Sequence, residues 1–324
     1  MENTMILHND KKVFEKAIKE TADNLRIKDY FIEKDYWISL VLKRLSESKY
    51  VDSVVFKGGT SLTKGHKLIN RFSEDIDVAV IITPETTGNQ VKTLIRTVEK
   101  EIASDLTEID LTGVTSKGSR FRKAVYQYHE TIKSKQKIAI SNSIIVEINS
   151  FANPFPYSKL TIQSMIGEYL QEHNQDELVK KFELKPFVIN ILNKEQTLIE
   201  KLVSLIRFSF ADNYIESISG KIRHFYDLYY LLNDNDCKSY VDSEEFIKQF
   251  KRVISYDQQQ FDDPAGWRVK NFKESPLVLD FENLWKSLKS KYTNELAALA
   301  YSEIPNEIEI KKTFERIIEI LKRG

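Results

Sequence analysis

The sequence has a single cysteine, Cys237, among 324 residues. No intrachain disulfide can form, and a cysteine-based zinc site is not expected. It has no excess of either charge: Lys plus Arg and Asp plus Glu both total 48. Affinity for a nucleic acid or an anionic membrane must therefore come from a local patch. No uncharged apolar run approaches the roughly 20 residues needed to cross a bilayer, and the N-terminus lacks the basic-then-apolar pattern of a secretory signal. The five histidines show no HExxH spacing, and no G-x-S-x-G elbow is present. These absences leave a protein expected in the reducing cytoplasm, with no membrane partner. Its 41% hydrophobic content is enough for a real core.

The first half reads as mixed α and β. Helical periodicity covers 10–25 and 31–47, where Ile32, Trp37, Leu40, Val41 and Leu45 repeat near 3.6 residues. Strands are expected at 51–56, 75–82, 120–129 and 141–151, and helices at 60–69 and 89–105. The proline-containing FANPFPYS at 151–158 marks a boundary. Beyond it the periodicity is almost wholly helical, over 161–172, 174–182, 194–211, 215–233, 243–255, 280–300 and 306–322, with an irregular connection at 256–276. The expected organisation is α+β: a domain over 1–160 with a short mixed sheet, then a helical domain over 161–324.

Chemistry concentrates in VVFKGGTSLTKGHKLINRFSEDIDVAV, residues 54–80. Asp75 and Asp77 stand two apart on a strand, so both carboxylates face one side of the sheet. Two like charges there repel unless a cation lies between them, and Mg²⁺ suits one or two carboxylates plus substrate phosphates. Gly58 and Gly59 can take positive φ and let backbone approach a ligand. Thr60 and Ser61 then open a helix, which either can cap and whose first N–H groups attract phosphate. A Gly-Gly turn alone is usually only a turn, and D-x-D is common at strand ends. The order strand, G-G-T-S, helix, D-x-D strand is what makes the combination informative.

FKGGTSL followed by RFSEDID, with IEKDYW (32–37) upstream, resembles the AbiEii/AbiGii toxin family of the polymerase-β-like nucleotidyltransferase superfamily. The resemblance runs from about residue 30 to about 232. It implies a nucleotidyltransferase of a toxin–antitoxin pair, acting in phage defence, whose helical domain completes the active-site cleft. It also implies one or two Mg²⁺ ions on Asp75 and Asp77, and an NTP substrate held by Lys57, Gly58, Gly59, Thr60, Ser61, Arg71 and Ser73. The family's later motifs fall on Lys201, contacting the nucleotide, and Asp227, giving a catalytic set of Asp75, Asp77, Lys201 and Asp227. Glu147 is the candidate third metal ligand. The implied acceptor is the 3′ end of tRNA, and the antitoxin a transcriptional repressor with no stable complex required. A protein acceptor for a nucleotidyl or phosphoryl group, or a nucleotide- or RNA-binding module without turnover, are the alternatives.

The residues can be read beside that resemblance. Lys201 lies at the edge of an apolar stripe of Leu198, Leu205 and Phe208, so it either snorkels or meets an anion. Asp227 shares a polar stripe with Arg223 and His224 on an otherwise apolar helix. An Arg223–Asp227 pair is the bland reading; orienting Lys201 or Arg223, or acting as a base, are the functional ones. Lys34 and Asp35 read as a solvated helix face at the site's edge. The cations Lys117, Arg120, Arg122, Lys123, Lys133, Lys135 and Lys137, interleaved with Phe121, Tyr126 and Tyr128, are what a single-stranded RNA end would want; ordinary surface charge on a strand pair is the alternative.

Overall fold

The 3.6-residue period of the first fifty residues folds as two helices. In the computed structural model, which describes residues 5–132 and 142–324, these are α1 (Lys11–Leu25) and α2 (Asp29–Glu47). Asp10 caps α1 by accepting the Val13 N–H at 3.2 Å. The chain continues through β1 (Val54–Lys57), α3 (Gly58–Lys64), β2 (Asp75–Val80) and α4 (Gly88–Ile102). A reciprocal capping box between Thr87 and Gln90 starts α4. Then come β3 (Thr107–Ile109), β4 (Ser116–Lys117), β5 (Phe121–Gln127), β6 (Ser143–Asn149) and β7 (Tyr157–Ile162), followed by α5 (Met165–Glu172), α6 (Asp176–Lys181) and β8 (Phe187–Leu192).

The chain divides into two compact units: Met1–His66 with Phe72–Leu192, and Lys67–Arg71 with Asn193–Gly324. The first holds a mixed sheet in the order β3-β5-β6-β2-β1-β8-β7, with β4 paired to β5. At its centre β2 is antiparallel to β1 and parallel to β6, and β1 is parallel to β8. Val54, Val55 and Phe56 are fully buried, as expected of a short apolar run in a central strand. Two strands depart from the expected pattern. Residues 157–162 and 187–192 pair with each other and join the sheet through β8. FVINIL carries no alternation that separates a buried strand from a piece of helix, and only pairing with β1 decides it.

The second unit is helical, as the periodicity predicts: α7 (Lys194–Phe208), α8 (Tyr214–Ser219), α9 (Arg223–Asn233), α10 (Asn235–Val241), α11 (Glu244–Gln260), α12 (Pro276–Leu279), α13 (Phe281–Leu299) and α14 (Glu307–Arg323). Phe225 of α9 centres an aromatic core, with ring centroids 4.7 Å from Phe314 and 5.3 Å from Trp285. The irregular connection after α11 is anchored by the buried Trp267, whose indole N–H donates to Asp257 at 2.6 Å. The segment 67–71 is tied in by the Tyr301 N–H donating to Asn70 O and the Asn70 N–H donating to the Tyr226 hydroxyl oxygen.

Candidate active site

The turn between β1 and α3 explains its first glycine. Gly58 has φ +78°, and a Cβ there would lie 2.0 Å from Oδ2 of Asp77. Only glycine satisfies both the backbone angle and the space. The helix begins at Gly58 itself, with Lys57 in the capping position and no side-chain cap. Thr60 and Ser61 therefore do not cap it, contrary to the expectation. Instead the Thr60 hydroxyl donates to Asp75 O at 2.5 Å and the Ser61 hydroxyl to Gly58 O at 2.8 Å. Both side chains are buried; Thr60 ties the turn to the start of β2, and Ser61 closes the turn on itself. Ser73 is also buried in the loop leading to β2.

Asp75 and Asp77 occupy one face of β2, as the strand period requires, and both remain partly exposed. Register extends that face into a row across four strands. Lys57 of β1 opposes Asp77, Asp77 neighbours Glu147 of β6, and Glu147 opposes Lys123 of β5. The Lys123 ammonium lies 3.5 Å from the Glu147 carboxylate. Glu147 thus shares the aspartates' face but answers to a lysine. Among the described residues no group of three or more His, Cys, Asp or Glu side chains is gathered for a metal. Two same-face carboxylates, one seated against the bare Cα of Gly58, are nonetheless the donor set that Mg²⁺ takes when phosphates and water complete its octahedron.

Helix α2 supplies what sequence reasoning missed. Glu33, Lys34 and Asp35 are all buried, so the expected solvated face is wrong. Lys34 donates to Glu74 at 2.7 Å, immediately before Asp75. Burial pushes the Lys34 ammonium below the usual lysine value, against the opposing pull of Glu74 and Asp75. Asp35 pairs with Lys64 in the last turn of α3 and accepts the Met165 N–H at 2.7 Å. Glu33 accepts the N–H groups of Thr131 and Ile132 at 2.6 and 3.0 Å. Burial raises its carboxyl above the usual range, and those N–H groups oppose the rise. One charged triplet thus fixes the far end of α3, the entry to β2 and the chain beyond β5. Its signal in the sequence was E-K-D enclosed by Phe31, Ile32, Tyr36, Trp37 and Ile38, an apolar setting on every side of a helix.

The second unit brings Lys201, Asp227 and Arg71 together. Arg71 grips Asp227 with a fork, Nε to Oδ1 and Nη2 to Oδ2, both at 2.6 Å. Lys201 reaches Oδ2 at 2.8 Å. Asp227 is fully buried. Burial alone would raise its carboxyl, but Arg71 and Lys201 outweigh that and hold it well below the usual carboxylate range. Both carboxylate oxygens of Asp227 are thus engaged by cations of its own unit. Arg223 pairs instead with Glu295 at 3.4 Å, so the Arg223–Asp227 pair is not formed. The guanidinium of Arg71, a predicted nucleotide contact, engages Asp227. Burial, with Lys201 adding to it, depresses the neighbouring His224 imidazole well below its ordinary value.

Among the described residues of the basic stretch after residue 116, three cations are paired with acids and Arg120 is exposed. Lys117 pairs with Glu108, Arg122 with Glu99 and Lys123 with Glu147. Tyr126 and Tyr128 are buried; Tyr126 donates to Glu99, and Tyr128 stacks on Trp37 with ring centroids 5.3 Å apart. Lys133, Lys135 and Lys137 lie outside the described residues.

Residues 40–319 match the family described as nucleotidyl transferase AbiEii toxin, type IV TA system. The fold is similar to that of MenT4, a nucleotidyltransferase toxin from Mycobacterium tuberculosis H37Rv, with TM-score 0.53 and 16% identity over 94% of each chain. An antigenic nucleotidyltransferase-like protein from Paracoccidioides brasiliensis aligns with TM-score 0.31 and 14% identity over 72% of this chain and 93% of that one. No curated protein sequence matches the chain.

Proposed function

The chain belongs to the AbiEii nucleotidyltransferase toxin family, and from that premise we propose that it transfers a nucleotide from an NTP to the 3′-terminal hydroxyl of tRNA in a Mg²⁺-dependent reaction. The observation that carries the reading is the arrangement of Asp75 and Asp77 on one face of β2, with the Asp77 carboxylate packed on Gly58. Asp75 and Asp77 would hold Mg²⁺, with Glu147 beside them as the third carboxylate. When bound, the ion neutralises phosphate charge and lowers the pKa of the attacking hydroxyl. The Gly58–Gly59 backbone, without a side chain to bar the way, admits the nucleotide's phosphates, and Lys57, Thr60, Ser61 and Ser73 frame that approach. In the second unit, Asp227 and Arg71 orient Lys201, which contacts a phosphate. The catalytic gain is positioning and charge neutralisation, as phosphoryl transfer requires. A toxin of this type acts on pools of NTP and tRNA, so the reading places it in the cytoplasm, in phage defence. Its antitoxin partner acts as a repressor without a stable complex.

The test is incubation of the full chain with each labelled NTP, Mg²⁺, and total RNA or lysate protein. Label in tRNA is the expected result. Label in protein instead moves the acceptor to a side chain, and nucleotide binding with no transfer leaves a binding module. Asp75→Asn abolishes transfer with the fold kept, because it removes a metal ligand and relieves like-charge repulsion. Full transfer by that variant removes the metal assignment.

A further inference from the structure

Helix α4 carries a surface that the site above does not use. Val91, Ile95, Val98 and Ile102 bury one side of it. Lys92, Arg96 and Lys100 stand on another, at i, i+4 and i+8, all exposed. At 100° per residue the three fall within an arc of about 80°, and each follows the last by about 6 Å along the axis. Asn89, Thr93 and Thr97 line the shallow groove they share. None of the three cations forms an ion pair with another described residue. The acids of the helix are kept away from them: Glu99 is buried and taken by Arg122 and the Tyr126 hydroxyl, while Glu101 lies about 100° around from Lys100. On α1, by contrast, Lys16 pairs with Glu20 and Lys19 with Glu15. With no net charge on the chain, this stripe is a place where a polyanion gains attraction.

We propose that this face of α4 binds the phosphate backbone of an RNA strand. Cations at regular intervals, with hydroxyl and amide donors between them, fit a row of phosphates, and such contacts position a strand without reading its bases. The choice of RNA among polyanions rests on the transferase reading; the surface itself does not.

The experiment measures binding of a fluorescent single-stranded RNA of mixed sequence to the full chain, without NTP, from 50 to 200 mM salt. Three phosphate contacts contribute about −2 to the slope of log affinity against log salt for a single strand. Lys92→Gln/Arg96→Gln/Lys100→Gln should flatten the slope by about that amount, while Lys16→Gln/Lys19→Gln on α1 leaves it unchanged. Equal slopes for wild type and the α4 variant, equal flattening by both variants, or no binding by wild type at 50 mM salt overturns the proposal. Vesicles containing phosphatidylserine form a parallel arm. Loss of vesicle binding with an unchanged RNA slope assigns the face to a membrane and also overturns it. A flattened RNA slope in a protein that transfers no nucleotide keeps this surface and removes the transferase reading, so the two fail separately.

Discussion

Replacing Gly58 with alanine separates the cost of strain from the cost to chemistry. The position has φ +78°, where a side chain costs roughly 1–2 kcal/mol. The new Cβ would stand 2.0 Å from Oδ2 of Asp77, and real Cβ contacts do not fall below 3.0 Å. The carboxylate must therefore withdraw by at least 1.0 Å, the difference of those two distances. Asp77 can do so by rotating its side chain, so the clash itself adds little to the loss of stability. A displacement of about 1 Å at a reacting centre is worth about 100-fold in rate. Gly58→Ala should then unfold in urea with a loss of about 1–2 kcal/mol, retain its circular dichroism, and transfer nucleotide about 100-fold more slowly. Its requirement for Mg²⁺ should rise. Gly88→Ala is the control, since a Cβ there meets nothing within 4 Å. A Gly58→Ala enzyme with wild-type rate and wild-type metal dependence would refute the link between the glycine and the placement of Asp77.

Four further outcomes follow from the same contacts. Asp35→Ala leaves the buried Lys64 ammonium without its partner and should cost about 3–5 kcal/mol in chemical unfolding. Asp227→Asn should destabilise the chain by a similar amount, about 3–5 kcal/mol, with part recovered in Asp227→Asn/Lys201→Met. Because the Asp227 carboxyl is depressed on folding, its stabilisation is full above the unfolded value of about 3.9 and declines as pH falls toward the lower folded value; the stability gap between wild type and Asp227→Asn must narrow on acidification, and a gap independent of pH contradicts the assignment. Lys201→Ala should raise the NTP concentration giving half-maximal rate, and an unchanged concentration would return that lysine to a structural role. Thr60→Val removes the hydroxyl bond to Asp75 O and should cost about 1–3 kcal/mol, read as a shift in the urea midpoint.

What the sequence disclosed and withheld divides by distance along the chain. The G-G-T-S turn, the D-I-D strand and the helical periods of the second unit are local patterns, set by φ requirements and by the repeats of 2 and 3.6 residues, and each was legible. The withheld features depend on remote partners. Lys34 meets Glu74 forty residues away, Asp35 meets the Met165 N–H at a separation of 130, and Arg71 meets Asp227 at 156. The apolar neighbours of Lys34 and Asp35 mark the pair as enclosed, but which groups the two meet is set only by those remote partners. The strand at 187–192 was withheld for the same reason, since only β1 and β7 make it a strand. In the basic stretch the cations were legible, but the acids that pair with Lys117, Arg122 and Lys123 lie on β3, α4 and β6.

The hydroxyls of Thr60 and Ser61 show how these two kinds of information combine. Sequence order put them where a phosphate would come, and the fold turns their protons toward the carbonyls of Asp75 and Gly58. A hydroxyl has one proton to donate. While these are spent on buried backbone, the groups at the turn that remain suited to an anion are backbone N–H groups, which need close approach and therefore a residue without a Cβ. On the proposed reading, phosphate access at the turn then rests on its backbone N–H groups rather than on the hydroxyl pair, and Thr60 has a different task. By holding the carbonyl of Asp75 it ties the turn to the residue whose carboxylate the proposed reading gives to the metal. If that coupling operates, Thr60→Val should move Mg²⁺ dependence before it moves NTP dependence, whereas a hydroxyl that itself held phosphate would show the reverse order.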